Sequence, residues 1–389
     1  MVTFAVLMEK LNNFVWGPPM MILLLGVGLF LTVGLRFISL TKIGYGFNQL
    51  FKKRDDNAGQ GEVSPFAALM TALSSTVGTG NIAGVAAAIA IGGPGAVFWM
   101  LVTAILGTAT KFGEGVLAVR FREVDSNGNR VGGPMYYIKN GLGPKWLWLA
   151  GAFAFFGIIG SLSTGNAVQA NSIADALQSA YNFDPRIVAI VLSLLVATVI
   201  IGGIKRIGAV ASKLVPFMAI IYLVAALVVI AANIGEVPAA FSLIFKGAFG
   251  MQGAGTGITI GLMMLAMQKG VARGLFSNEA GQGSAPIAHA AAQNDNPVNQ
   301  GIIAMLGTII DTLIICTITA LVILTSGFMS NDCLANPAIL ELLESGTTPQ
   351  GCEIGVPLTA AAFDTILVGF GEHIVTFCLC IFAFTTIIG

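Results

Sequence analysis

Long apolar stretches recur along the whole chain and are separated by short polar connections. A helix needs roughly 20 mostly apolar residues to cross the hydrocarbon core of a bilayer. The pattern predicts membrane spans at 17–37, 64–91, 95–119, 147–178, 186–204, 214–233, 255–292, 300–325 and 357–389. The chain is therefore predicted to be an all-α polytopic membrane protein.

Segment 39–54 has a different pattern. Ile43, Phe47, Leu50 and Phe51 recur at helical spacing, and basic residues follow at 52–54. A short helix with one apolar face and a basic end is typical of helices that lie on the membrane surface. We predict such an amphipathic helix between the first two spans.

A polar interruption divides span 64–91. Residues 74–81 read Ser-Ser-Thr-Val-Gly-Thr-Gly-Asn. Each Gly costs about 1 kcal/mol in a helix, and the hydroxyl and amide groups offer alternative partners to the backbone. An unwound turn is tolerated at membrane depth only where it lines a cavity enclosed by protein. Freed carbonyls there suit a cation, and the half-helix that begins near Asn81 directs N–H groups toward a carboxylate.

A second interruption divides span 255–292. Residues 276–286 read Phe-Ser-Asn-Glu-Ala-Gly-Gln-Gly-Ser-Ala-Pro. If the first span is an extra helix, the two breaks fall in the first and sixth core spans. Paired broken helices at matching positions of two halves indicate a transporter site built from inverted repeats. A close-packing seam remains the alternative for either Gly-X-Gly alone.

The breaks divide the chain into three parts. Residues 1–63 form an N-terminal transmembrane helix with the amphipathic helix, 64–235 the first repeat, and 236–389 the second repeat. Because the chain ends inside an apolar run, we expect the second repeat to continue beyond residue 389.

Composition agrees with a lipid environment. Hydrophobic residues make up 56% of the chain and charged residues 10%, whereas soluble domains carry about 25% charged residues. The net charge is zero, so there is no basic excess to indicate a nucleic-acid partner. No feature indicates an obligate protein partner.

Basic loop residues predict the orientation, because they accumulate on the cytoplasmic side. They cluster in the loops after the first, third and fifth spans, at 36–54, 120–145 and 205–213. These loops are therefore predicted to be cytoplasmic, which places the N-terminus outside a multi-pass protein of the cell membrane. Cys333 and Cys352 would also lie outside, as a disulfide or as two free thiols.

Isolated polar residues within the spans are further candidates for function. Gln169 lies inside span 147–178, and Asp311 in span 300–325 has no obvious partner. Lys111 and Glu114 are three residues apart and are predicted to form an internal ion pair. Glu279 is predicted to pair with a basic residue of its own span, either as a gate or for structure alone.

Two other classes of function lack support in the sequence. A channel would need a continuous polar face or rings of charge. An enzyme would need convergent nucleophile, base or metal ligands, and the two histidines are far apart in the chain. We therefore predict a transporter and not an enzyme.

Several motifs together resemble the alanine or glycine:cation symporter family. They are Gly-Gly-Pro-Gly-Ala-Val-Phe-Trp-Met at 92–100, Ala-Ile-Leu-Gly at 104–107, Val-Gly-Gly-Pro-Met-Tyr-Tyr at 131–137, Thr-Gly-Asn-Ile-Ala-Gly at 79–84 and Phe-Ser-Asn-Glu-Ala-Gly at 276–281. The likeness extends over nearly the whole chain. It implies a LeuT-type five-plus-five inverted repeat with broken helices and an extra N-terminal helix.

The resemblance also implies a substrate and a driving ion. The substrate would be a small neutral amino acid, alanine or glycine, and the ion would be sodium, which prefers hard oxygen ligands. One sodium site would use the carbonyls of Ser74 and Val77 with the hydroxyls of Thr385 and Thr386. A possible second site would use the carbonyl of Thr76 and the side chain of Asn81.

On this hypothesis the amino acid is held between the two breaks. Its carboxylate meets N–H groups near Thr79 and Gly80. Its ammonium meets acceptors from Ser277, Asn278 and Gln169. Phe276 acts as a lid on the small side chain. Alternating access then moves substrate and sodium together across the membrane.

Overall fold

A computed structural model describes residues 6–8, 11, 14–15, 17–52, 60–251, 256–327 and 354–389. The helices in the first part of the chain are α1 (Pro18–Gly34), α2 (Ile38–Thr41), α3 (Ile43–Phe51), α4 (Pro65–Thr76), α5 (Val85–Gly92), α6 (Gly95–Arg120), α7 (Pro134–Leu142), α8 (Leu147–Gly160), α9 (Val168–Tyr181), α10 (Pro185–Ile200) and α11 (Gly203–Ala232). The later helices are α12 (Val237–Ala248), α13 (Thr256–Asn278), α14 (Ala285–Ala290), α15 (Pro297–Thr308), α16 (Thr317–Thr325), α17 (Val356–Asp364) and α18 (Gly371–Ile388).

Wider π-helical turns interrupt three of these helices, and a short hairpin connects two others. The π turns are Gly80–Gly84 before α5, Ser161–Ala167 between α8 and α9, and Ile309–Cys316 between α15 and α16. Strand β1 (Glu123–Val124) pairs antiparallel with β2 (Arg130–Val131) between α6 and α7.

The prediction of an all-α polytopic membrane protein is confirmed. Five helical stretches of the described chain are long and apolar enough to cross a membrane, and the bent pair α4 and α5 makes a sixth. Helices α1 and α10 are apolar but shorter. The predicted span 255–292 is the pair α13 and α14, separated by the second break.

The last predicted span, 357–389, is wrong as a single helix. The chain forms α17 and α18 instead, with a turn between Asp364 and Gly371. The Asp364 carboxylate accepts hydrogen bonds from the N–H groups of Gly369 and Gly371, at 2.9 and 3.2 Å. A short polar side chain that bonds to nearby backbone competes with helical hydrogen bonds, so apolar composition alone did not reveal the turn.

The structure changes two further expectations. Helix α11 begins at Gly203, so Lys205, Arg206 and Lys213 lie on helical turns and not in a loop. Helix α12 was not predicted, because it is shorter than a span.

The amphipathic helix exists, but its apolar face packs against protein. Gly46 of α3 lies against Ile302 and Leu306 of α15, where a Cβ atom would be 3.2 Å from each side chain. Leu50 is buried. Part of this face therefore belongs to the core, while Phe51 at its end is exposed.

Helix α6 is the central element of the part that holds the breaks. It packs against α1, α13 and α15. Gly28 of α1 lies against the Leu106 backbone. A second cluster of side chains joins α11, α17 and α18, where the Tyr222 ring lies 5.6 Å from the Phe363 ring and 5.5 Å from the Phe382 ring. These contacts fix the helices that surround the breaks.

A short strap joins the starts and ends of the broken helices at one end of the molecule. Ala291 O accepts hydrogen bonds from Glu62 N and Val63 N, and Gln293 N donates to Val63 O at 2.8 Å. Residues 62 and 63 directly precede α4, and 291 follows α14. The strap therefore ties the entrance of the first broken helix to the exit of the second. Cys333 and Cys352 lie outside the described residues.

Candidate functional site

The first break lies where the sequence predicts it. Helix α4 ends at Thr76, and the bend between α4 and the helix that begins at Gly80 is 54°. Two backbone N–H groups of the break are bound by side-chain amides: Gly78 N donates to Asn81 Oδ1 at 2.9 Å, and Thr79 N donates to Gln169 Oε1 at 3.3 Å. The break therefore offers backbone donors of the kind that bind a carboxylate.

Two distant helices touch the break at Gly78. A Cβ atom at this position would lie 2.5 Å from Thr386 Oγ1 and 3.2 Å from Gln169 Oε1. Only glycine allows both side chains to approach the backbone so closely. The break is thus a junction of α4, α9 and α18.

Gln169 is held in place from its other end. Its Nε2 donates to Thr164 O at 3.3 Å, inside the π turn Ser161–Ala167. Gln169 is buried, although most of the helical stretch that contains it is not. A buried amide on an otherwise exposed helix indicates a role beyond packing.

The second break begins three residues later than predicted. Helix α13 continues through Asn278, so Phe276, Ser277 and Asn278 form its last turn. The unwound residues include Glu279 with φ of 52°, and Gly281 and Gly283 with φ of 86° and 84°. The glycines account for the loop, but no propensity predicts left-handed backbone at a glutamate.

The two breaks meet at Asp311, which is fully buried. Asn81 Nδ2 donates to Asp311 Oδ1 at 2.7 Å, and Ser277 Oγ donates to Asp311 Oδ2 at 2.6 Å. Asn81 Nδ2 also lies 3.2 Å from Ser277 Oγ. Thr312 Oγ1 donates to Asp311 Oδ2 at 2.7 Å and accepts from Asn278 Nδ2 at 3.3 Å.

Asp311 was singled out in the sequence, but without partners. They come from helices that are remote in the chain, and the π turn Ile309–Cys316 is what directs Asp311, Thr312 and Cys316 toward them. Cys316 Sγ lies 3.2 Å from Asn81 Nδ2. A lone carboxylate in an apolar span was therefore the available signal.

Phe276 is fixed between the two breaks. A Cβ atom at Gly80 would lie 3.3 Å from the Phe276 ring. The guanidinium of Arg273 lies over the same ring, 5.4 Å from its centroid. Arg273 also reaches the first break, because a Cβ atom at Gly84 would lie 3.4 Å from its Cδ atom.

The predicted sodium ligands are only partly brought together by direct contacts. Thr386 Oγ1 donates to Val77 O at 3.3 Å, which joins α18 to the break. Both hydroxyls also lie near Phe382 O, at 3.0 Å from Thr386 Oγ1 and 2.9 Å from Thr385 Oγ1, and Thr385 Oγ1 faces Met218 Sδ at 3.4 Å. The hydroxyl of Ser74 bonds to Thr71 O, and that of Thr76 to carbonyls of its own helix.

The two carboxylates that were predicted to form ion pairs, Glu114 and Glu279, make hydrogen bonds to residues of the second break. Glu114 accepts a hydrogen bond from Gly283 N at 3.0 Å and does not form an ion pair within 4.0 Å with Lys111. Glu279 is hydrogen-bonded to Ser284 Oγ, while Arg273 lies over Phe276. Both carboxylates therefore bind the second break itself.

Taken together, the fold and site define a class of protein. Membrane helices that break beside one another and direct polar groups at a buried centre are typical of secondary transporters. The sequence profile described as the sodium:alanine symporter family matches residues 1–389.

Similar proteins agree with this profile. The sodium/alanine symporter AgcS of Methanococcus maripaludis is 48% identical over 388 residues, which are 99% of this chain and 81% of that protein. The putative sodium/proton-dependent alanine carrier protein YrbD of Bacillus subtilis is 43% identical over 97% of this chain and 75% of its own length. The probable sodium/glutamine symporter GlnT of the same organism is 36% identical over 97% of this chain and 73% of its own length.

The chain belongs to the sodium:alanine symporter family. It is a sodium-coupled symporter in a membrane and not an enzyme.

Proposed function

We propose that the protein carries alanine together with sodium across the cell membrane by alternating access. The observation that carries this proposal is the meeting of the two breaks at Asn81, Ser277 and Asp311, where polar groups of both broken helices share one buried centre. A centre shared by two broken helices changes shape when either helix moves. Substrate bound beside this centre and sodium bound at the first break are therefore sensitive to the same motion of the first broken helix.

The proposed substrate position lies between Thr79 and Gln169. The Thr79 N–H group donates to Gln169 Oε1, so an arriving carboxylate replaces that oxygen as the acceptor. The released Gln169 oxygen then accepts from the substrate ammonium, as do Ser277 and Asn278. Gly80 supplies the second backbone donor to the carboxylate.

The position of Phe276 favours alanine as the substrate over an amino acid with a larger side chain. Its ring is packed between Gly80 and Arg273, so it has little room to move away from a long side chain. The names of two related proteins mention different substrates, alanine for AgcS and glutamine for GlnT. Glycine, which the sequence left open, would lose the apolar contact with this ring.

The proposed sodium site uses the carbonyls of Ser74 and Val77 with the hydroxyls of Thr385 and Thr386. The hydrogen bond from Thr386 to Val77 O supports a position between α18 and the break. A sodium ion at this position would be coordinated by Thr386 Oγ1 and Val77 O and would join α18 to the first break. A second site would use the Thr76 carbonyl and Asn81, whose amide oxygen is bound to Gly78 N.

We propose a LeuT-type five-plus-five arrangement for the helices. The N-terminal part is 1–63, the first repeat 64–235 and the second repeat 236–389, with the N-terminus outside. Helix α1 packs on α6, which supports its role as an addition to the core. The strap between 62–63 and 291 lies at the end that the basic loops predict to be cytoplasmic.

The experiment is uptake of labelled alanine into proteoliposomes that contain the purified protein. An inward sodium gradient should drive accumulation above equilibrium, and an equal potassium gradient should not. Excess unlabelled alanine should compete better than glutamine or glycine. Uptake that ignores the sodium gradient would contradict the proposed coupling, and stronger competition by glutamine would contradict the proposed substrate.

A further inference from the structure

Glu114 of α6 binds the backbone of the second break. Its Oε1 accepts from Gly283 N at 3.0 Å, and Gly281 lies two residues before that donor. Both glycines have left-handed backbone, with φ of 86° and 84°. Backbone of this kind turns successive N–H groups toward one anion. In this protein the anion is a buried side chain from another helix.

Three more N–H groups of the second break are bound within the protein. Glu279 N donates to Leu275 O at 3.0 Å, and Gln282 N donates to Glu279 O at 3.1 Å. Ala280 N donates to Asn278 Oδ1 at 3.0 Å. The second break therefore differs from the first, because its donors serve its own shape and not an incoming carboxylate.

One face of α6 follows this break along its length. A Cβ atom at Gly107 would lie 3.1 Å from Ala280 Cβ, and one at Gly281 would lie 3.6 Å from Thr110 Cγ2. Glu114 completes the series at Gly283. Positions three and four residues apart lie on the same face of a helix, so α6 sets the position of the unwound loop at three successive turns.

The loop leads directly into the substrate-binding turn. Asn278 accepts from Ala280 N and donates to Thr312 Oγ1, which donates to Asp311. Ser277 donates to the same Asp311 carboxylate. A shift of residues 280–283 therefore moves Asn278 and Ser277 relative to the first break.

We propose that Glu114 is a positioning residue for substrate binding. By anchoring the N–H group at 283, it sets where the last turn of α13 presents Ser277 and Asn278. Glu114 Oε2 is buried and accepts no hydrogen bond within the described chain. A buried oxygen without a partner lowers stability, so favourable packing does not account for a carboxylate at this position. The inference rests on the proposed binding of alanine at Ser277 and Asn278.

The test is alanine uptake by Glu114→Gln and Glu114→Ala in proteoliposomes. Gln keeps the reach and one oxygen, but hydrogen bonds to a neutral acceptor are roughly half as strong as those to a charged one. We expect the KM for alanine to rise about tenfold in Glu114→Gln and further in Glu114→Ala. The maximal rate per folded molecule should change less than about twofold, because the loss falls on binding.

Thr108→Val is the matched control. Thr108 is fully buried on the same helix, and its hydroxyl bonds only to Ile105 O. It should keep the wild-type KM. Fewer folded molecules with an unchanged KM in the Glu114 variants would overturn the proposal and leave Glu114 with a structural role alone. If wild type itself takes up no alanine, the proposed function fails and not this inference.

Wild-type protein gives a second measurement that needs no variant. In a peptide over 279–285, hydrogen exchange should be slow without alanine at the N–H groups of Glu279, Ala280, Gln282 and Gly283, because protein acceptors already hold these four groups. Alanine should change it little. Fast exchange that becomes slow only with alanine would overturn the proposal, since the loop would then be ordered by substrate and not by Glu114.

Discussion

At the scale of single residues, Asp311 decides how the two breaks face one another. Three donors, from Asn81, Ser277 and Thr312, share its carboxylate. By holding the Asn81 nitrogen, it turns the amide oxygen toward Gly78 N. The same charge thus orients a side chain of the first break and a hydroxyl of the second.

Asp311→Asn should weaken alanine binding while the protein still folds. The new amide keeps one oxygen where the carboxylate offered two oxygens to three donors, so at least one buried donor loses its acceptor, at a cost of roughly 1–3 kcal/mol. The apparent affinity for alanine should fall about tenfold to a hundredfold, as measured by uptake. Asp175→Asn is the control, because Asp175 is exposed and binds only Asn171. A wild-type KM in Asp311→Asn would contradict this role.

Residues were predictable from the sequence where the signal was local. The break at 74–81 followed from two glycines beside hydroxyl and amide groups, and Gln169 from its polarity within a span. Asp311 was noticed, but its partners were not, because they are 230 and 34 residues away in the chain. The site assignments for sodium and alanine themselves remain predictions.

At the scale of elements, the strap shows how the broken helices are held at one end. Arg122 donates to Ala290 O at 3.0 Å, to Ala292 O at 2.8 Å and to Asp295 at 2.9 Å. Its side chain is 7% exposed, whereas that of Asp295 is 62% exposed. Burial of this guanidinium lowers the pKa of Arg122, but an arginine remains charged at neutral pH. The carbonyls therefore matter more than the ion pair.

Arg122→Ala should destabilise the protein more than Asp295→Asn, which changes the partner of Arg122. It should also destabilise the protein more than Lys139→Ala, which removes a separate ion pair with Glu123. It leaves Ala290 O without its side-chain donor, at a cost of roughly 1–3 kcal/mol, and it removes one of two donors to Ala292 O, which keeps Asn294 N at 2.8 Å. Asp295→Asn and Lys139→Ala disturb exposed pairs, which contribute roughly 0–1 kcal/mol. Thermal denaturation in detergent should thus show the largest fall in melting temperature for Arg122→Ala. An equal fall for Lys139→Ala, whose pair with Glu123 is exposed, would contradict the ranking.

Elements were predictable where composition alone defines them. The long apolar helices and both breaks were found, because lipid and glycine leave clear patterns. The turn at 365–370 was missed because one carboxylate, Asp364, produces it. The π turn Ile309–Cys316 was missed, since its sequence is largely apolar like that of an ordinary membrane helix.

At the scale of the whole molecule, two different breaks meet at one buried centre, the Asp311 carboxylate. The first has backbone donors that amides of Asn81 and Gln169 hold and that a substrate can take over. The second is fixed by Glu114 and presents side chains. The repeat arrangement and the orientation in the membrane rest on the sequence pattern, and the family assignment rests on the match over residues 1–389.

Equilibrium binding tests the central claim most directly. Alanine affinity is measured by calorimetry with and without sodium, choline replacing the ion, and sodium affinity is measured with and without alanine. If alanine and sodium both bind at the first break, each should raise the affinity for the other by the same factor, about fivefold or more. Thr386→Val should remove this coupling, and Thr376→Val, on the same helix, should not. Alanine affinity that is equal with and without sodium would contradict the account.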